Sequence, residues 1–206
     1  MLGIIDYGVG NIGSIRNMVK SLGYQSLLVA QKAQLKSVSK LILPGVGTFD
    51  HCLNSLKKNR ALLNEISHLV LKKNMPVLGI CAGMQIMLED SEEGVCNGLG
   101  WLPGTVKKFD STELTVPHMG WNNPIFIREH PLTKDISIND RFYFVHSYYV
   151  KLKDCRYELM SCGYGHNFTT LFRKQNIFGV QFHPEKSHRF GKKILKNFLE
   201  YNYVKT

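Results

Sequence analysis

The chain has 206 residues, of which 44% are apolar, 20% charged and 11% aromatic, enough for one sizeable core and ordinary for a globular protein. No apolar run approaches the ~20 residues of a membrane span, and Met1–Tyr7 reads as a first strand rather than a signal peptide, so a cytoplasmic protein with no membrane association is expected. The net charge is +10, but the basic residues are scattered in doublets such as Lys57-Lys58 and Lys192-Lys193, without an arginine-rich tract or a nucleic-acid motif, so solvated faces or a surface for an acidic partner are expected instead of nucleic-acid binding.

Strand and helix signals alternate through the first half. Leu2–Tyr7 is a strand, and Ile12, Ile15, Val19 and Leu22 give Asn11–Leu22 helical spacing closed by Gly23. Between them, Gly8 to Gly13 spells G-x-G-x-x-G. A dinucleotide site would need an acidic residue about 20 positions further on, and after Asp6 the next acid is Asp50. The stretch is therefore read as a tight strand-to-helix turn at the edge of a site, and no cofactor is expected. Ser26–Ala30 and Lys40–Leu43 are strands, the latter ended by Pro44-Gly45. Residues Thr48–Lys73 are helical in two pieces around Asn59, Val77–Ile80 is a buried strand, and Ala82–Glu89 a helix. Such alternation implies crossovers and a parallel sheet. The second half is different: Thr105–Phe109, Arg141–Lys151, Glu158–Gly163, Thr169–Arg173 and Ile177–Phe182 are short, aromatic and β-branched, and read as antiparallel strands added to that core. Arg189–Tyr201 is a closing helix with Ile194, Leu195, Phe198 and Leu199 on one side. With no linker, repeat or low-complexity segment, residues 1–206 are expected to form one domain.

Two stretches carry chemistry. Gly79-Ile80-Cys81-Ala82-Gly83 has the form G-x-nucleophile-x-G at a strand-to-helix junction. Small residues two before and two after allow a sharp turn that holds the nucleophile exposed, and the following N–H contributes to an oxyanion hole. At an ordinary thiol pKa only about 3% is thiolate at pH 7, and a helix N-terminus would raise that fraction. On the elbow alone, Cys81 reads equally as a nucleophile or as a small buried residue. The second stretch shifts the balance. In "VQFHPEKS", His183 and Glu185 stand at i and i+2 after an apolar strand, and the proline between them favours extended backbone, so both side chains point the same way. Cysteine, base and orienter form the general pattern of an activated nucleophile. A third stretch, "LPGVGTF" (residues 43–49), is a Gly-rich turn whose N–H groups can face an oxyanion. The other four cysteines (Cys52, Cys96, Cys155, Cys162) form no C-x-x-C, so reduced thiols are expected and no metal site.

These residues resemble the triad-type, class I glutamine amidotransferases. The likeness runs almost end to end, through "DYGVGN", "LPGVGTF", "GICAGMQ", "SEEG", "GLGWLPG", "VPHMGWN", "FVHSYYV" and "GVQFHPEKS". Within that family it points to the glutaminase subunits that pass ammonia to a cyclase making imidazole glycerol phosphate in histidine biosynthesis. The resemblance implies a mixed, mostly parallel α/β sheet flanked by helices, L-glutamine as substrate, and a cyclase partner in a heterodimer. It implies Cys81 as nucleophile, His183 as base and acid, Glu185 as its orienter, and the N–H groups of Gly47 and Ala82 as the oxyanion hole. Gln85, Glu93, Ser147 and Tyr148 match positions that hold glutamine. Asn11, Met119, Gly120, Trp121 and Lys186 match segments near the cyclase interface. Leucine is usual after the nucleophile, where this chain has Ala82. Relatives in surface-sugar pathways share the same glutaminase motifs, and a cysteine peptidase-like hydrolase would use the same triad logic on peptides.

Overall fold

The computed structural model describes residues 1–202. In chain order the strands and helices are β1 (Leu2–Ile5), α1 (Ile12–Ser21), β2 (Ser26–Val29), β3 (Lys40–Leu43), α2 (Phe49–Lys57), α3 (Arg60–Leu71), β4 (Val77–Ile80), α4 (Ala82–Gln85), β5 (Asp90–Ser91), β6 (Gly104–Lys108), β7 (His118–Asn122), β8 (Ile125–Phe126), β9 (Phe142–His146), β10 (Tyr148–Leu152), β11 (Glu158–Tyr164), β12 (His166–Lys174), β13 (Ile177–Val180) and α5 (His188–Glu200). The main sheet runs β2-β1-β3-β4-β13-β12-β10-β6-β5, with β11 on β12 and β8 on β11, while β7 and β9 form a separate antiparallel pair. The first five strands of that order are mutually parallel. β12, β10 and β6 continue it antiparallel.

Strand alternation divides the core into two. Ile5, Leu41, Leu43 and Val77 pack against Phe49, Leu53, Leu56, Leu62, Ile66 and Val70 of α2 and α3. Leu2, Ile4, Ile42, Leu78 and Ile80 face the other way, against Ile15 and Val19 of α1 and Ile194, Leu195 and Phe198 of α5. Successive side chains of a strand point to opposite faces, so each of these short strands contributes to both layers. The break at Asn59 is real: α2 is capped by Thr48 accepting from the His51 N–H, and Asn59 caps α3 by accepting from the Leu62 N–H.

Three expectations are corrected. The helix after Cys81 stops at Gln85 instead of Glu89. The segment 98–102 takes the carbonyls that a longer helix would use: Leu99 N–H donates to Ile86 O, Trp101 N–H to Met87 O and Gly100 N–H to Leu88 O. Residues 141–151 are two strands. β9 pairs with β7, and after Ser147 the chain crosses to the main sheet as β10. Finally, β13 is antiparallel only to β12; it lies parallel to β4 and completes the parallel block.

Candidate active site

β4 and β13 are hydrogen-bonded neighbours with Ile80 opposite Val180. The two motifs leave the sheet side by side at the carboxyl ends of these strands, where open α/β sheets bind ligands. Cys81 follows immediately, its N–H donating to Val180 O at 2.8 Å. Its backbone is left-handed, φ 53° and ψ −116°, a conformation that costs a non-glycine residue about 1–3 kcal/mol and persists only where the surroundings impose it. They do impose it. A Cβ at Gly79 would come within 2.7 Å of Gly83 O, and one at Gly83 within 2.0 Å of Leu43 O. The elbow is thus packed backbone to backbone, and Cys81 is almost wholly buried beside the cleft.

His183 is fixed at both ends. Its N–H donates to Tyr143 O at 2.9 Å, and Ser187 Oγ donates to its carbonyl at 2.6 Å while accepting from the Tyr143 N–H. Its Nδ1 lies 2.8 Å from Glu185 Oε1, and both side chains are nearly inaccessible, at 3% and 1%. Burial alone would lower the pKa of His183. The Cys81 sulfur and the Glu185 carboxylate outweigh it and push the imidazole up to about 10. The pair therefore favours imidazolium beside sulfur. Glu185 Oε2 is buried without a partner.

A cleft of about 710 Å³ opens over this group. Cys81, Ala82, Gly47, Gln85, Glu93, Ser147, Tyr148 and His183 line it, with Asn11 and Lys186 also on its wall. The expected oxyanion and glutamine-contact positions thus line the cleft with Cys81 and His183, and Glu185 lies buried behind His183. Gly47 has φ +100°, open to glycine but not to most side chains. The turn it belongs to is held from beneath: Tyr7 Oη donates to Pro44 O, and Cys52 Sγ to Val46 O at 3.7 Å. In a trans peptide the C=O and the next N–H point opposite ways, so the Cys52 contact turns the Gly47 N–H away from the core. Burial raises the pKa of Tyr7 and brings the Cys52 thiol to about 11, so both remain donors. Glu93 accepts from the Phe49 N–H at 2.7 Å, and its pKa is raised by burial. The loop Gly8–Asn11 borders the cleft, with Gly8 and Gly10 at positive φ, as expected of a turn at a site edge.

Met119, Gly120 and Trp121 lie on β7, outside the cleft lining. Met119 and Trp121 are exposed, at 62% and 43%. Trp121 stacks on His188 with the planes 8° apart and meets Tyr143 edge-on, and Lys186 Nζ lies 5.6 Å from the Tyr143 ring centre. Of the expected interface residues, Trp121 and Lys186 thus meet through the Tyr143 ring, while Asn11 stands on the cleft wall.

Three buried polar neighbours of the site escape the sequence reading. Gln181 is fully buried and its Nε2 lies 3.7 Å from Cys81 Sγ. Its position two before His183 on one extended run was the available signal. His118 and His146 are a directly opposed cross-strand pair of β7 and β9, Nδ1 to Nε2 at 3.0 Å. Both are buried, which lowers His118 to about 4 and His146 to about 3. No cluster of three or more metal-ligating side chains occurs among the described residues.

The sequence profile of the class-I glutamine amidotransferases matches residues 3–201. The chain belongs to this family. As a class-I glutamine amidotransferase it is 45% identical over 202 residues to a Leptospira interrogans protein named imidazole glycerol phosphate synthase subunit HisH, covering 96% of this chain and 98% of the relative. It is 44% identical over 201 residues to subunit HisH 2 of Methanococcus maripaludis, covering 97% and 99%. Among solved structures, PurLQS from Thermotoga maritima superposes with a TM-score of 0.75 at 18% identity, over 97% of both chains. The glutaminase domain of Trypanosoma brucei CTPS gives 0.66 at 13%, over 98% of this chain and 95% of that one. These two likenesses bear out the mixed α/β fold.

Proposed function

We propose that this chain is the glutaminase subunit of an imidazole glycerol phosphate synthase, hydrolysing L-glutamine and delivering ammonia to a cyclase partner in a cytoplasmic heterodimer. The names of its relatives support the histidine-pathway acceptor over a surface-sugar acceptor, and the full-length family match supports free glutamine over a peptide. The observation that carries the chemistry is Cys81 held at a left-handed elbow beside an imidazole whose other nitrogen is fixed 2.8 Å from a buried carboxylate.

Cys81 Sγ attacks the side-chain amide carbon of glutamine, its proton having passed to His183. The developing oxyanion sits between the N–H groups of Ala82 and Gly47. As the tetrahedral carbon collapses, the C–N bond breaks and His183 protonates the leaving nitrogen, giving ammonia and a glutamyl thioester. His183 then takes a proton from water, hydroxide attacks the thioester, and glutamate leaves. Glu185 keeps the imidazole in the tautomer that points Nε2 at the sulfur and stabilises its charge. Gln85, Glu93, Ser147 and Tyr148 hold the amino-acid end of glutamine. Asn11, Met119, Gly120, Trp121 and Lys186 meet the partner, and the chain's net positive charge suits an acidic docking face.

The test is glutamate release from free L-glutamine by the chain alone and with the cyclase titrated in. A large rise in turnover on docking is expected. Full activity of the lone chain, unchanged by the partner, would remove the partner-controlled reading, and release of glutamate from peptides only would replace glutaminase with peptidase.

A further inference from the structure

One buried chain of hydrogen bonds runs from β7 to the nucleophile, and its direction is fixed at a single atom. The Tyr148 carbonyl oxygen can only accept. His146 Nδ1 lies 2.7 Å from it and Gln85 Nε2 3.0 Å from it. Both nitrogens must therefore carry the hydrogens. The second N–H of Gln85 is then directed at Gln181 Oε1, 3.0 Å away. With its oxygen so assigned, the Gln181 amide can present only its NH₂ end to Cys81 Sγ, at 3.7 Å. On the other side of Tyr148, the same logic leaves His146 Nε2 as an acceptor for His118 Nδ1–H.

We infer that Gln181 is a further residue of the catalytic machinery, its side-chain N–H donating to the Cys81 sulfur and stabilising the thiolate. This rests on the glutaminase reading above. A hydrogen bond to a charged acceptor is stronger than a neutral one, and more so away from water. Gln181 is fully buried, so water does not compete for that donor. A flipped amide would set Gln181 Nε2 against the Gln85 NH₂ and turn a carbonyl oxygen toward the sulfur, two repulsive contacts in place of two attractive ones. Gln85 and the Tyr148 carbonyl thus act as positioning groups for Gln181. The nearby helix α4 spans only Ala82–Gln85, so Gln181 supplies stabilisation that a long helix dipole would otherwise give.

His51, Glu93, Tyr148 and Lys186 share the cleft wall with Cys81. His183 faces it from the β13 side with Glu185 behind, and Tyr7 and Cys52 act on it from the loop after β1 and from α2. Burial keeps Tyr7 and Cys52 protonated, so neither places a negative charge beside the sulfur.

The test is alkylation of the full chain by iodoacetamide across a pH series, with labelling at Cys81 read separately from the exposed Cys155 by peptide mass spectrometry. Gln181→Met keeps volume and removes the donor. Gln181→Glu keeps an oxygen for Gln85 and sets a carboxylate toward the sulfur. The midpoint of Cys81 labelling is expected to rise by about one pH unit in the first variant and at least as far in the second. A purely structural role would lower the melting temperature and leave the midpoint where it was. An unchanged midpoint in the folded methionine variant overturns the inference, and Gln181→Leu, which also removes the donor without adding a charge, decides should the methionine variant fail to fold. Loss of the glutaminase reading would appear separately, as a normal wild-type labelling profile without glutamate release.

Discussion

One added methyl group at Gly83 should uncouple the nucleophile from the oxyanion turn. Its Cβ would lie 2.0 Å from Leu43 O and 2.9 Å from Leu43 C and Pro44 C; reciprocally, a Cβ at Gly45 would lie 2.0 Å from Gly83 N. These are backbone atoms with no rotamer to yield. Restoring ordinary contact requires the first turn of α4 and the 43–47 turn to separate by about 1 Å, a misplacement that costs on the order of 10²-fold in rate. Gly83 is not among the residues with positive φ, so alanine there suffers from space and not from conformation. Overpacking of this kind costs about 1–3 kcal/mol, a fall in melting temperature of roughly 2–12 °C. Gly83→Ala is therefore expected to stay folded and to lose about 10²-fold in glutamine turnover with the partner present. Gly13→Ala, where nothing lies within 4 Å, serves as the control and should change neither. Wild-type turnover in a folded Gly83→Ala protein would refute the argument that the two turns are locked together.

Cys81→Ala should abolish glutamate release while added ammonium salts still feed the assembled synthase; survival of glutamine-dependent activity would exclude Cys81 as nucleophile. His183→Ala should cost several orders of magnitude and Glu185→Gln distinctly less, because the first removes the base and the second only its orienter; the opposite ranking in steady-state assays would reverse the two roles. Lys186→Ala and Asn11→Ala should blunt activation by the cyclase without changing the fold, which a titration at saturating glutamine would reveal. His118 and His146 are neutral in the folded protein, with pKa values lowered from about 6.5 to about 4 and about 3. Below about pH 6.5 the unfolded chain binds protons that the native pair refuses, so stability should fall as pH drops through that window. Urea unfolding at about pH 7 and pH 5 should show the loss, and His118→Gln should reduce it; equal stability of the wild type at both pH values would contradict the buried neutral pair.

The triad was legible because each half of it is local. Gly79, Cys81 and Gly83 lie within five residues, and His183 and Glu185 stand two apart; the extended run expected there is corrected, because Pro184–Lys186 forms a 3-10 turn with Lys186 N–H donating to His183 O, and that turn still brings the carboxylate to the imidazole. What joins the halves, the pairing of β4 with β13, left no local signal, and β13 looked like one more antiparallel strand. The length of α4 was misread for a tertiary reason: Met84, Ile86, Met87 and Leu88 keep an apolar pattern, but residues 98–102 capture the carbonyls of Ile86, Met87, Leu88 and Glu89. Ser147 hides a change of sheet inside a continuous aromatic run, because periodicity reports alternation and not partners. β7 passed unnoticed because it is short, carries Gly120 at its centre, and inverts the usual pattern, with His118 buried and Met119 and Trp121 exposed. Gln181 is a further case: its place two before His183 was a local signal, but its neighbour Phe182 advertised the core and the glutamine was passed over.

The insertion of β13 between β4 and β12 also dictates when in folding the site can exist. Cys81 and the His183 loop are separated by about half the chain, yet they become neighbours only when β13 fills its slot in the middle of the sheet. Closing so long a loop is entropically unfavourable and belongs to the slower part of assembly for such topologies. A nascent or partly folded chain carries the thiol without its base, so it has no reactive nucleophile to spend on glutamine or on passing electrophiles. Catalytic competence is in this sense a report on complete folding, since it waits for the last strand in the chain to take its place in the sheet.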